Sequence, residues 1–200
     1  MLSSRFEDAM IYAAHTHAAH VRKGSGAPYL SHLLAVTAIA LEHGANEDEA
    51  IAALLHDAVE DAGGKARLAD IKARFGNRVA AIVAGCSDTD VTPKPPWSER
   101  KKAYVAHLRH APPSVKLISA ADKLHNARAI LSDYRDIGEA LWSRFKGGKP
   151  GTLWYYRAVL KHLTGPRLRR LATDIDAVIT ELEKLANAGR RVLAPPSMTK

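Results

Sequence analysis

Alanine-rich apolar runs, cut at intervals by glycine and proline, restrict this chain more than any other feature. Helical spacing recurs in every long apolar segment, and none sustains the period-two alternation of a half-buried strand. The spacing predicts helices over 6–21, 30–42, 50–60, 68–75, 77–84, 99–109, 115–131, 153–163 and 168–188. RKGSGAPY, Gly44, Gly63-Gly64, Gly76, the prolines of SDTDVTPKPPWS, Pro112-Pro113, GGKPG and Pro166 supply the breaks. Asn46 followed by Glu49 reads as a capping box opening the third helix. The expected fold is an all-α helical bundle: one domain over 1–190 and a flexible tail over 191–200. Leu171, Ile175, Val178 and Leu182 form a stripe on the last helix, expected to pack on its own domain, and it specifies no oligomeric state.

With 200 residues, 46% of them hydrophobic, the chain is long enough for one real core. Basic residues exceed acidic ones by eight, 29 against 21, which favours small anionic partners. They are scattered, without the basic stripe that nucleic-acid binding calls for, so nucleic acid is not an expected partner. A single cysteine, Cys86, excludes an intramolecular disulfide and a cysteine-rich zinc site, and reads as a small buried residue near a helix end. No apolar run approaches the roughly 20 residues of a membrane span, so no membrane role is expected. MLSSRFEDAM lacks the basic start and apolar stretch of a signal peptide. A cytoplasmic protein is expected.

ALLHDAVEDAG, residues 53–63, disturbs the pattern of a core helix. It carries His56, Asp57, Glu60 and Asp61. Residues four apart share a helix face, so His56 with Glu60 and Asp57 with Asp61 form one polar patch. An exposed acidic helix end accounts for Glu60 and Asp61, although acids there oppose the helix dipole. It does not account for His56, set among Leu54, Leu55 and Val59. Buried charges need partners or a metal. An adjacent His and Asp offer one nitrogen and one oxygen, a ligand set that suits Mn, Fe or Zn. His32, in PYLSHLLAV, lies on the apolar side of its helix. Asp122, in LISAADKLHNARAIL, sits one turn before Asn126 among Ala120, Ala121, Leu124 and Ile130. Together, His32, His56, Asp57 and Asp122 make a set of two imidazoles and two carboxylates with positions left for water or substrate.

The order H…HD…D resembles the HD-domain metal-dependent phosphohydrolases. RKGSGAPYLSH, ALLHDAVEDAG, RFGNRVAAIV and SAADKLHNAR are similar to the hydrolase domain of Rel/Spo-type proteins, and above all to the stand-alone small alarmone hydrolases. The resemblance runs over about 6–160 and implies an all-α HD bundle. It implies Mn²⁺-dependent removal of the 3′-pyrophosphate from guanosine tetra- or pentaphosphate, giving GDP or GTP plus pyrophosphate. His32, His56, Asp57 and Asp122 match the family's metal ligands. Glu60 and Asp61 match its ED pair, which positions or activates the attacking water. Arg22 and Lys23 match the basic pair before PYxxH that contacts the nucleotide, with the Arg against the base. Asn126 and Arg128 match the substrate-side end of DKLHNxR, and Lys101, in SERKK, resembles a basic residue near the phosphates. LWYYR offers Tyr155, Tyr156 and Arg157 as nucleotide-wall residues. Nothing here resembles the synthetase of the longer family members, so degradation rather than synthesis is expected. An HD phosphohydrolase acting on another nucleotide (NADPH, a nucleoside monophosphate or a cyclic nucleotide) would use the same metal ligands behind a different wall.

Overall fold

The computed structural model describes residues 1–61, 63–88 and 93–192; for Asp61 and 189–192 it describes the backbone alone. Helix α1 (Ser4–Thr16) starts at Ser3, whose hydroxyl accepts from the Arg5 amide. It stops short of the predicted 21. His17 and His20 instead pair through their Nδ1 atoms at 3.0 Å and turn the chain into a narrow loop. Val21 bridges antiparallel to Pro28, and the Arg22 amide donates to the Ala27 carbonyl at 2.8 Å. Gly24 has φ +101°, and a Cβ there would fall 2.6 Å from the Arg144 guanidinium, so no other residue fits without displacement.

Helix α2 (Leu30–Glu42) keeps its predicted bounds. Helix α3 (Glu47–Leu55) opens on the complete Asn46–Glu49 capping box. The predicted helix 50–60 is interrupted. Regular structure ends at Leu55, and a single turn, α4 (Ala58–Asp61), follows. His56 Nδ1 lies 2.8 Å from the Ala53 carbonyl, the acceptor that the Asp57 amide would use in a continuous helix. The imidazole thereby competes with the helical ladder where HD occurs.

Helices α5 (Gly64–Phe75), α6 (Asn77–Cys86) and α7 (Trp97–His110) follow, and α5 begins earlier than the predicted 68. Helix α8 (Pro113–Ile137) outruns the predicted 131, and a 3₁₀ segment, Gly138–Arg144, turns it back. Helix α9 (Gly148–Leu160) recruits four residues of GGKPG into its first turn. Pro150 is tolerated there because first-turn amides have no intrahelical acceptor. Helix α10 (Arg169–Val192) carries the chain into the predicted tail; 193–200 and loop residues 89–92 lie outside the described residues. Among the described residues there is no strand.

Helix α8 is the central strut, packed on α2, α6 and α10. Leu33, Ile51, Leu54, Leu55, Leu117, Ile118 and Leu124 are buried around it. Leu171, Ile175, Ile179, Leu182 and Ala186 of α10 are fully buried and Val178 partly so, which seats the apolar stripe in its own domain as expected. Two arginines pin α10 and its approach. Arg157 pairs with Glu183 at 2.6 Å and with Asp176, and Arg167 forks onto Glu49 at 2.6 and 2.7 Å.

Candidate active site

Three elements converge at one point of the core. Helix α2 supplies His32, the α3–α4 turn supplies His56 and Asp57, and α8 supplies Asp122. Ligand atoms of His32, His56 and Asp57 lie within 4.8 Å of one another. Asp57 Oδ2 is 3.5 Å from His32 Nε2 and 3.0 Å from His56 Nε2; Asp122 Oδ1 is 3.3 and 3.8 Å from the same atoms. The imidazoles are buried, while the Asp57 and Asp122 side chains keep 22% and 11% of their surface. The carboxylates therefore form the wetter edge of a dry imidazole pair.

Hydrogen bonding orients those imidazoles. The Ala53 carbonyl can only accept, so His56 Nδ1 carries a hydrogen and Nε2 faces the carboxylates. His56 Nε2 is buried without a hydrogen-bond partner, although Asp57 Oδ2 is close. Burial pulls the His56 pKa down, but the Asp57 and Asp122 carboxylates overcome it and raise it to about 9. Burial likewise opposes ionisation of Asp122, yet Lys123, His32 and His56 hold its carboxyl well below the usual range. An orphaned imidazole nitrogen facing two ionised carboxylates is a place where positive charge is stabilised. A divalent transition metal fits this donor set of two nitrogens and two oxygens.

Residues around the ligands hold them in place. Tyr29 donates to Asp57 Oδ2 at 2.7 Å, and His125 Nδ1 meets His32 Nδ1 at 2.8 Å. Asp122 accepts from Asn126 through Oδ1 and from Lys123 through Oδ2. Sequence reasoning passed over Tyr29, Lys123 and His125, although all three stand inside the quoted words PYLSH and ADKLHN.

Glu60 forms an ion pair with Lys94 at 2.9 Å and lies 3.8 Å from Arg100. Burial raises its pKa, and so does the neighbouring Asp88 carboxylate. Asp88 is itself held by Arg100 at 2.6 Å and Lys101 at 2.6 Å. Asp61 ends α4, and its side chain lies outside the described residues.

A cleft of about 750 Å³ is lined by Tyr29, Lys123 and Asn126 of this cluster. Arg22, Lys23, Lys101, Tyr155 and Tyr156 line it as well. Arg22 donates to Asn126 Oδ1 at 3.0 Å, and Lys101 Nζ stands 5.0 Å from the Tyr155 ring centre. Trp97 is a further wall residue that the sequence reading missed. Its ring lies so close to Gly147 that a Cβ there would meet it at 2.6 Å. Two assignments fail to reach the cleft. Arg128 is exposed on α8 and lines none of it, because two residues beyond Asn126 is about 200° around the helix, on the opposite side from Asp122 and Asn126. Arg157 points the other way, into the α10 acids. Cys86, partly buried at the end of α6, has its thiol pushed up to about 12 by burial. A second cleft of about 700 Å³, lined by Tyr12, Arg67 and Arg74 on α1 and α5, holds none of the ligand or wall residues.

The fold and the H…HD…D cluster define an HD-domain protein. The sequence pattern of the HD domain matches residues 9–147, and the chain belongs to that family, whose hydrolases are metal-dependent. It is similar to the human guanosine-3′,5′-bis(diphosphate) 3′-pyrophosphohydrolase MESH1, 36% identical over 168 residues, covering 78% of this chain and 90% of the human one. It is also similar to the bifunctional (p)ppGpp synthase/hydrolase SpoT of Escherichia coli K12, 33% identical over 132 residues, 63% of this chain and 18% of SpoT. A solved metazoan ortholog of SpoT that hydrolyses ppGpp superposes with a TM-score of 0.73 at 25% identity, over 91% of this chain and 97% of that one. A Listeria monocytogenes EGD-e structure gives 0.68 at 30% identity, over 76% and 99%. Among the described residues no helix is long and apolar enough to cross a membrane.

Proposed function

We propose that this protein is a Mn²⁺-dependent (p)ppGpp 3′-pyrophosphohydrolase, with residues 1–190 acting as one hydrolase domain in the cytoplasm. The observation that carries the proposal is the His32–His56–Asp57–Asp122 cluster, its imidazoles buried and its carboxylates at the wetter edge, beside a basic, aromatic cleft. Those four side chains would hold the ion, which would supply Lewis acidity and a lowered pKa for water when bound. Glu60 and Asp61 orient the attacking water. Glu60's raised affinity for protons suits a group that takes one from the nucleophile. In the net reaction, water adds to the phosphorus next to the 3′ oxygen as the 3′ O–P bond breaks, the 3′ oxygen keeps a proton, and GDP or GTP and pyrophosphate are the products. Lys23, Lys101 and Lys123 offset the negative charge, and the planar Arg22 guanidinium suits stacking on a base. Tyr155 and Tyr156 close the wall.

Product analysis tests this. Metal-stripped protein is incubated with ppGpp, with and without Mn²⁺, and the nucleotides are resolved by anion exchange. GDP and pyrophosphate formed only with Mn²⁺ are expected, and Asp57→Ala should abolish both the reaction and tight Mn²⁺ binding. Intact ppGpp with metal bound would refute the substrate assignment; unchanged metal content in Asp57→Ala would refute the ligand assignment.

A further inference from the structure

Asp57 is the most exposed of the four proposed ligands, and it is anchored by a residue outside the ligand set. The Tyr29 hydroxyl donates to Asp57 Oδ2 at 2.7 Å, the same oxygen that faces His32 Nε2 at 3.5 Å and His56 Nε2 at 3.0 Å. A carboxylate oxygen has two in-plane lone pairs. Accepting from the phenol therefore leaves Oδ2 one more acceptor position for an ion.

The Tyr29 ring is itself held on several sides. His17 stacks on it at 5.2 Å with 21° between planes, and His20 and His32 meet it edge-on at 6.4 and 5.5 Å. Its amide donates to the His20 carbonyl at 2.9 Å. His17 is 2% exposed, with a buried Nε2 that no hydrogen bond satisfies. The early end of α1 at Thr16 puts His17 and His20 where they can enclose the ring.

We infer that Tyr29 is a positioning residue for the metal site: its hydroxyl fixes the Asp57 carboxylate in the orientation that ligates the ion, and the His17–His20 turn fixes Tyr29. The inference rests on the proposed metal site and adds to it a residue that also lines the substrate cleft. Partners that orient a metal ligand are typically worth about 10–100-fold in metal affinity, and the same loss is expected here.

Tyr29→Phe keeps the ring and its packing and removes only the hydroxyl. Wild type, Tyr29→Phe and Tyr134→Phe are stripped with chelator and titrated with Mn²⁺ by calorimetry, and their Co²⁺ forms are compared by visible absorption. Tyr134 is the control, because its hydroxyl also donates to a carboxylate, Glu139, at 2.7 Å, near the far end of α8. Expected are a roughly 10–100-fold weaker Mn²⁺ affinity and an altered cobalt spectrum at saturation for Tyr29→Phe alone. Equal affinity and an identical spectrum in Tyr29→Phe would overturn the inference while leaving the metal site standing. An equal loss in Tyr134→Phe would overturn it too, since the effect would then be general destabilisation. Absence of metal binding in wild type would instead overturn the site on which the inference rests.

Discussion

Replacing Arg167 by Met should destabilise the protein by about 3 kcal/mol at neutral pH, the low end for breaking a buried ion pair. Glu49 is 1% exposed, and its carboxylate takes four donors: Arg167 Nη1 at 2.7 Å and Nη2 at 2.6 Å, Ser114 Oγ at 2.7 Å and the Asn46 amide at 2.9 Å. Methionine fills the arm's volume but leaves the carboxylate buried without a counter-charge. Arg167 keeps 36% of its side-chain surface, so water can partly re-enter, which is the reason for the low end. Burial opposes ionisation of Glu49, but Arg167, Asn46 and Ser114 together lower its pKa from 4.5 to about 2, which at roughly 1.4 kcal/mol per pH unit bounds the loss from removing Arg167 alone at about 3.5 kcal/mol. A pKa depressed in the folded state gives stability that is present above 4.5 and lost as pH falls toward 2. Thermal melts of wild type and Arg167→Met, followed by circular dichroism from pH 7 to pH 2, check both statements. At about 2–4 °C per kcal/mol for a domain of this size, Tm should fall by about 6–12 °C at pH 7. The gap should narrow below pH 4 as Glu49 takes up a proton. A fall under 2 °C at pH 7, or a gap independent of pH, would show that the pair is not a stabilising lock.

Gly147→Ala should damage the cleft rather than the backbone, because φ −83° suits alanine while its Cβ would meet the Trp97 ring at 2.6 Å. A raised KM with retained kcat, a shifted tryptophan emission and a loss of about 1–3 kcal/mol are expected; unchanged emission and KM would contradict the contact. Arg157→Ala should lower stability by about 1 kcal/mol, since its partners are partly exposed, and leave kcat/KM unchanged, because the side chain faces α10; a tenfold fall in kcat/KM would return Arg157 to the nucleotide wall. Cys86, with a thiol near 12, should resist iodoacetamide at pH 8 until the protein is denatured; fast labelling of the native protein would refute its burial.

The proposed ligands were largely legible because they violate the rule of their surroundings. His32, His56 and Asp122 stand in apolar, alanine-rich stretches, and a buried polar group demands a partner. Helical spacing and Gly/Pro breaks determined the fold class, and the Asn46–Glu49 capping box is a local signal that the structure reproduces. What escaped depends on which side chains meet across elements. The break at His56–Asp57 arises because an imidazole competes for the Ala53 carbonyl, a choice invisible to periodicity. Arg128 and Arg157 read as substrate residues by position in a motif; helix phase leaves Arg128 exposed and the acids of α10 hold Arg157, neither of which shows along the chain. Tyr29, Trp97, His125 and the Glu49–Arg167 lock join residues from 28 to 118 positions apart in the clearest cases. One sequence holds both partners of each pair, but only packing α2, α3, α8 and α10 into one core brings them within hydrogen-bond reach, because such bonds act over about 3 Å and carry no signature along the chain.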